Sequence, residues 1–231
     1  YRAFSGCKAL ASISMPETME SIGGGAFYDC QALEAIVVPQ GIARIQEETF
    51  SSCYALASVS LPDGLVSIEE RAFSSCGNLT NVILPDTLAQ IGESAFSSCG
   101  SLTEIVLPDG VSSLEDNTFA WCGTLTDVTL PDGITYIGFD VFTGCPETLI
   151  LYCDIDSDTA ETLTLMGYTA CVRMPSQPDY WFSLQGSLSG QTLTVSRYTG
   201  SASALEIPAE VEGIPVVAIG PGAFQGCAGL T

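Results

Sequence analysis

The chain has 231 residues, 46% of them hydrophobic, and a formal net charge of −21 at pH 7. So high an apolar content excludes a disordered chain, while the excess of acids argues against binding to nucleic acid or to an anionic membrane surface, since phosphate groups would be repelled. The sequence contains no histidine, which removes the commonest general base and the commonest metal ligand.

Three residue types recur every 23 positions from the start of the chain to residue 145. The phenylalanines are Phe4, Phe27, Phe50, Phe73, Phe96, Phe119 and Phe142, the cysteines are Cys7, Cys30, Cys53, Cys76, Cys99, Cys122 and Cys145, and the prolines are Pro16, Pro39, Pro62, Pro85, Pro108 and Pro131. A fixed period of about 20–29 residues is typical of a leucine-rich-repeat solenoid.

Each repeat starts with an alternating apolar segment that predicts a strand. These segments are residues 10–15, 33–38, 56–61, 79–84, 102–107 and 125–130. In the fourth, Val82 and Leu84 point inward and Pro85 ends the strand, because proline has no N–H to donate. Ala95, Phe96 and Cys99 then fit one short helical or 3₁₀ turn. The predicted fold is a solenoid with a parallel β-sheet on one side and short helical turns with extended segments on the other.

The pattern changes after residue 145. Residues 1–152 form the predicted solenoid, and 153–173 a C-terminal cap with a short helix at 156–166 and a strand at 168–172. Residues 174–180 read as a linker, and 181–185 with 192–197 as a β-hairpin. We expect 181–231 to hold this hairpin cap and the truncated first repeat of a second block. Because the chain starts and stops within a repeat, we expect it to be part of a longer protein.

Seven of the ten cysteines occupy one position of the repeat, and no Cys-x-x-Cys pair occurs. Buried thiols behave as small hydrophobes, so we expect a ladder of reduced, buried side chains. Cys153 and Cys171 fall outside this ladder. A disulfide between them stays open as an alternative if their strands are neighbours.

These residues together resemble the BspA-like leucine-rich-repeat proteins. The resemblance depends on the pattern L-x-x-I-x-L-P followed by A-F-x-x-C, which runs from Phe4 to Cys145 and returns from Leu205 to Cys227. It implies an exported, surface-attached protein of a host-associated microbe, with a role in adhesion or in binding host proteins. No catalytic residue belongs to the family pattern.

Outward-facing positions of the fourth to sixth strands form the candidate binding patch. They are more polar than their counterparts in the first three repeats. The residues are Thr80, Asn81, Thr103, Glu104, Thr126 and Asp127, with Ile83 and Val106 as the apolar centre. The alternative is an ordinary polar strand face with β-favouring threonines.

Three aromatic residues replace small or polar residues late in the solenoid, namely Trp121, Tyr136 and Phe139. Exposed aromatic side chains can anchor a partner. The alternative interpretation is that they cover the cap helix at 156–166.

The functional hypothesis is a non-catalytic extracellular binding or adhesion scaffold without cofactor or metal. Its partner would be a protein or glycan of basic character, and head-to-tail contact through terminal repeats is a further possibility. A structural spacer is one alternative, and a carbohydrate-active enzyme with paired carboxylates is another. The aspartates after the strands, Asp63, Asp86, Asp109 and Asp132, could share Ca²⁺, but turn formation explains them equally well.

Overall fold

The structure, a computed structural model, describes residues 1–154, 157–168, 170–174, 177–185, 192–202, 204–211 and 213–227. The chain divides into two compact units, Tyr1–Leu149 and Ile150–Thr231. Within the described ranges, no helix has the length and apolar character needed to cross a membrane.

The first unit is a solenoid of 23-residue coils with two columns of short parallel strands. The strands are β1 Ala35–Val37, β2 Arg44–Ile45, β3 Ser58–Ser60, β4 Ser67–Ile68, β5 Gln90–Ile91, β6 Glu104–Val106, β7 Ser113–Leu114, β8 Asp127–Thr129 and β9 Tyr136–Ile137. Strands β1, β3, β6 and β8 form the first strand face; β2, β4, β5, β7 and β9 form the second strand face. Each paired residue lies opposite the residue 23 positions later, as Ile105 does with Val128. The predicted solenoid is therefore confirmed.

The first strand face differs from the prediction in two coils. Segments 10–15 and 79–84 contain no regular strand. In the second of them the predicted alternation nevertheless survives, because Val82 and Leu84 are buried while Ile83 is 82% exposed. The inward positions are thus set by the need to bury apolar side chains, whether or not the backbone completes a ladder.

The second strand face is missing from the predicted fold. Each of its strands is two residues long and places its second residue in the core. These inward residues are Ile45, Ile68, Ile91, Leu114 and Ile137. Two residues are too few to display an alternating pattern, so the sequence did not predict these strands.

The outer segment of each coil consists of β-turns, so the helical or 3₁₀ turn predicted there is wrong. In the fourth coil, Ser94 and Ser98 have positive φ values of 55° and 61°. The Phe96 N–H donates to the Thr118 carbonyl of the next coil at 3.0 Å, whereas the Cys99 N–H donates to Phe96 within its own coil at 3.2 Å. The residues with positive φ let every second amide donate to a carbonyl of the neighbouring coil. In a continuous helical turn, all of these amides would instead donate to carbonyls of their own segment.

The phenylalanine column forms one continuous stack through the solenoid core. Consecutive ring centroids from Phe4 to Phe142 are 5.3–5.9 Å apart, and neighbouring rings are tilted by at most 15°. Phe50, Phe73, Phe96 and Phe119 are completely buried. The stack therefore links successive coils from Phe4 to Phe142 through one apolar column.

The cysteine column lies beside this stack, and its thiols donate to backbone carbonyls. Each of six thiols donates to the carbonyl of the phenylalanine 26 residues earlier, for example Cys76 to Phe50 at 3.2 Å. Burial raises the pKa of Cys53 and Cys122 to about 12. The predicted burial is confirmed for five thiols, whereas Cys145 is half-buried and Cys7 is exposed. The expectation of burial was therefore wrong for Cys7.

We expect thiol labelling of the folded protein at neutral pH to reflect this arrangement. Cys7 should react quickly, while Cys76 and Cys99 should react only after denaturant is added, because burial suppresses the reactive thiolate. Peptide mass spectrometry after timed alkylation distinguishes the sites. Equal labelling rates of Cys7 and Cys76 without denaturant would contradict the buried ladder.

Among the residues of the second unit that the structure describes, there are one helix and six strands. They are β10 Ile150–Asp154, α1 Asp158–Leu165, β11 Ala170–Met174, β12 Gln177–Gln185, β13 Thr192–Tyr198, β14 Glu210–Val211 and β15 Ile214–Ile219. Within the unit the strand order is β14-β15-β13-β12-β11-β10. Ser157 caps the helix, as its hydroxyl accepts the Ala160 N–H at 3.1 Å. The predicted cap helix is therefore present in a slightly shorter form.

Two expectations for this unit change. The segment 174–180 was predicted as a linker, but its described residues lie in β11 and β12.

Strands β10 and β11 are indeed neighbours, yet Tyr152 pairs with Cys171 and Cys153 pairs with Val172. The two cysteines consequently face opposite sides of the sheet, which does not suit a disulfide between them. The hairpin strands agree with β12 and β13, and its turn at 186–190 lies outside the described residues. The division at 152, 173 and 180 otherwise stays a prediction.

Candidate binding site on the first strand face

The candidate patch is built on β6, β8 and the irregular segment 79–84. Parallel pairing places Glu104 beside Asp127 and Val106 beside Thr129. Neighbouring strands lie about 4.8 Å apart, so these side chains form adjacent rows. Ile83 and Val106 are 82% and 63% exposed, so the patch has an apolar centre.

The polar residues around this centre differ in exposure. Thr80, Asn81, Thr103 and Glu104 are exposed, whereas Thr126 and Asp127 are half-buried. The Thr126 hydroxyl donates to Asp127 Oδ2 at 2.7 Å and lies 3.3 Å from the Thr103 carbonyl oxygen. One edge of the patch is therefore held in place by its own hydrogen bonds, and the other is open to solvent.

A hollow of about 320 Å³ lies within the patch. Its wall includes Asn81, Ile83, Asp86, Glu104 and Val106. The hollow coincides with an interruption of the strand ladder. Among the described backbone groups, segments 79–84 and 102–107 share a single hydrogen bond, from Thr103 to Thr80 at 3.4 Å. The gap creates a concave surface that a continuous sheet would not offer.

The three aromatic candidates do not share one position of the repeat. Trp121 and Phe139 are 62% and 76% exposed, and Tyr136 is also exposed in β9. Trp121 lies directly over Gly144, where an added Cβ would come within 2.8 Å of the indole ring atom Cδ2. The Phe139 N–H donates to Asp116 Oδ1 at 2.7 Å. The structure therefore presents these aromatic side chains as exposed single residues of three different columns. Their predicted role in covering the cap helix stays a prediction.

The candidate calcium ligands are the aspartates that follow the segments of the first strand face, namely Asp63, Asp86, Asp109 and Asp132. In the part of the chain that the structure describes, no group of three or more aspartates, glutamates, cysteines or histidines is arranged to hold a metal ion. The turn interpretation of these residues needs no ion. Thr87, which replaces the usual glycine of this turn, donates its hydroxyl to the Asp63 and Leu65 carbonyls at 2.6 and 2.8 Å.

Comparison with known families gives a match over most of the solenoid. The family described as "BspA type Leucine rich repeat region (6 copies)" matches residues 1–99 and 44–157. No curated protein shows significant sequence similarity to the chain.

Two of the similar solved structures share the architecture. A leucine-rich-repeat protein of T. pallidum is 28% identical with a TM-score of 0.51, over 68% of this chain and 83% of its own. A leucine-rich-repeat protein of Bacteroides ovatus is 23% identical with a TM-score of 0.53, over 100% of this chain and 68% of its own. A leucine-rich cell surface protein of Faecalibacterium prausnitzii is 29% identical with a TM-score of 0.40, over 55% of this chain and 42% of its own.

Proposed function

Because the chain belongs to the BspA-type leucine-rich repeat family, we propose that it is a non-catalytic scaffold, at a cell surface or outside the cell, that binds a protein or glycan partner through its first strand face. The observation that supports this most is the hollow between segments 79–84 and 102–107. It combines two exposed aliphatic side chains, Ile83 and Val106, with polar groups at its rim. An apolar centre with a polar rim is the usual anatomy of a recognition surface.

The physical basis of binding is preorganisation. Parallel pairing of β6 with β8 holds the backbone on one side of the patch, and the phenylalanine stack holds the same coils in the core, so a partner can dock with little ordering of the chain. Glu104, Asp86 and Asp127 are among the acids that give the chain its net charge of −21, and they make the patch itself negative. A partner with a basic surface is therefore attracted at long range, and its association rate should fall as salt is added.

A capture experiment tests the patch. We expect Glu104→Lys combined with Asp127→Lys to reduce capture of a basic partner from extracellular-matrix proteins and mucosal glycans by about tenfold, since two favourable charges become repulsive. The matched control is Glu20→Lys with Glu147→Lys, which makes the same charge change at exposed acids away from the patch. Bound material is quantified after a pull-down in low and moderate salt.

The outcomes separate the hypotheses. Loss of capture by the patch variant and not by the control supports the first strand face. Equal capture by both variants would remove this patch from consideration. If neither variant nor the unmodified chain captures anything, the structural-spacer alternative gains support.

A further inference from the structure

The second strand face carries a notch that the repeat pattern itself creates. Its outward strand residues in register are Arg44, Ser67 and Gln90. Two positions after each outward residue, the repeat has Gln46, Glu69, Gly92, Glu115 and Gly138 in successive coils. Glycine at 92 leaves the position between two glutamates without a side chain. At about 4.8 Å per coil, the backbones of Glu69 and Glu115 lie about 10 Å apart across this notch.

The notch is part of a hollow of about 320 Å³ lined by Ser67, Glu69, Gln90, Gly92 and Glu115, together with Ile68, Glu70, Ile91 and Ser113. Gly92 cannot be replaced without changing it, because an added Cβ would lie 2.7 Å from the Glu70 backbone nitrogen. The hollow lies outside the patch of the proposed function, whose residues are on the first strand face.

The floor of the hollow contains an unpartnered hydroxyl. Ser67 is only 4% exposed, and its Oγ is the buried side-chain oxygen that has no hydrogen-bond partner among the described residues. The equivalent Ser113 donates its hydroxyl to Glu115 Oε1 at 2.8 Å. A buried polar group without a partner reduces stability, so the Ser67 hydroxyl is available to a group that enters the hollow.

The backbone is also interrupted at this hollow. At equivalent positions of the second strand face, Gly92 donates its N–H to Ile68 at 2.8 Å and Gly138 donates to Leu114 at 2.8 Å. The equivalent bond from Glu115 to Ile91 is missing from the described backbone. Both residues line the hollow, so their backbone groups add to the hydrogen-bonding capacity left unused there.

We propose that this hollow binds a primary ammonium group, the side chain of a lysine presented by a protein partner. The carboxylates of Glu69 and Glu115 flank it, and Ser67 and Gln90 supply neutral oxygen acceptors. An ammonium group offers three donors in different directions, which suits acceptors placed on several sides. A guanidinium prefers a carboxylate in its own plane and binds it with two parallel hydrogen bonds, whereas the two carboxylates here come from opposite sides.

The test uses the full chain and the probe Nα-acetyl-lysine methylamide. We expect saturable changes in the amide NMR signals of Gly92 and Glu115, and much smaller changes at Glu104 and Asp127. The Nε-acetylated form of the probe, which has no positive charge, should leave all four signals in place. Changes of equal size over the whole acidic surface would overturn the proposal, because they would indicate unspecific charge attraction.

Matched variants sharpen the test. Glu69→Gln with Glu115→Gln should abolish the saturable changes, whereas Glu104→Gln with Asp127→Asn, which removes the same charge from the first strand face, should leave them intact. Persistence of binding in the first variant would overturn the site. The second variant keeps this result independent of the proposed function of the other face.

Ser67→Ala distinguishes a ligand-binding hydroxyl from a structural one. We expect it to weaken probe binding about fivefold through the loss of one hydrogen bond and to leave the folded protein at least as stable. Unchanged affinity with lowered stability would overturn the assignment of Ser67.

Titration with CaCl₂ tests whether the hollow binds a metal cation instead of an ammonium group. Calcium-induced shifts at Gly92 and Glu115 that displace the lysine probe would assign the hollow to a hard cation instead.

Discussion

Replacing Phe96 with alanine is expected to lower the free energy of unfolding by about 3–5 kcal/mol, as for other fully buried phenylalanines. The Phe96 ring lies between Phe73 and Phe119, at centroid distances of 5.5 and 5.7 Å. Its removal would leave a cavity bounded by two rings that are held by their own coils and cannot close the gap. Urea unfolding of the variant and the unmodified chain measures the loss.

Phe139→Ala is the matched control for this change. The Phe139 side chain is 76% exposed, so its truncation should change the free energy of unfolding by less than about 0.5 kcal/mol. Because solenoid coils contact mainly their neighbours, the Phe96→Ala transition could also lose cooperativity, which the slope of the urea transition reports. A Phe96→Ala variant as stable as Phe139→Ala would show that the stack is not the core.

Gly138→Ala is the second substitution for which a large loss is expected, about 1–3 kcal/mol from overpacking. An added Cβ would lie 2.6 Å from the Asp116 backbone nitrogen and 2.9 Å from the Glu115 carbonyl carbon. These are backbone atoms of the preceding coil, so the strain cannot be relieved by a change of rotamer. The two coils would have to separate, which weakens the bond from the Gly138 N–H to Leu114 at 2.8 Å.

Gly133→Ala controls for the general effect of removing a glycine. An added Cβ at this position meets nothing within 4 Å, and the substitution reduces the entropy of the unfolded chain. It should therefore be neutral or slightly stabilising in the same urea experiment. If both variants have equal stability, the close approach of the coils at Gly138 is not a constraint on the fold.

The candidate sites show how far prediction from sequence extends. The outward direction of Ile83 and Val106 and the neighbouring positions of Glu104 and Asp127 follow from strand alternation and the 23-residue period. The hollow between Ile83 and Val106 does not follow from these rules. It depends on backbone hydrogen bonds that segments 79–84 and 102–107 do not make with each other. The same holds for Ser67, whose burial depends on the residues paired with it in the coils before and after.

By itself, the sequence determined the solenoid, its period and the side chains in its core. Identical apolar residues at a fixed spacing must stack when coils associate, and burial of the phenylalanine and cysteine columns requires no detail of the backbone. It also determined the cap helix, through the serine before it and the apolar positions within it.

Only the tertiary structure decided the path of the backbone between these columns. The left-handed residues of the outer turns, the second strand face and both hollows depend on which amide meets which carbonyl 22 to 24 residues away. A local window of sequence contains no information on such pairs, because the two partners are brought together only when one coil stacks on the next. Whether a side chain points inward depends on that residue alone. A hydrogen bond between coils depends on two residues from different coils, and these bonds set the shape of the surfaces available to a ligand.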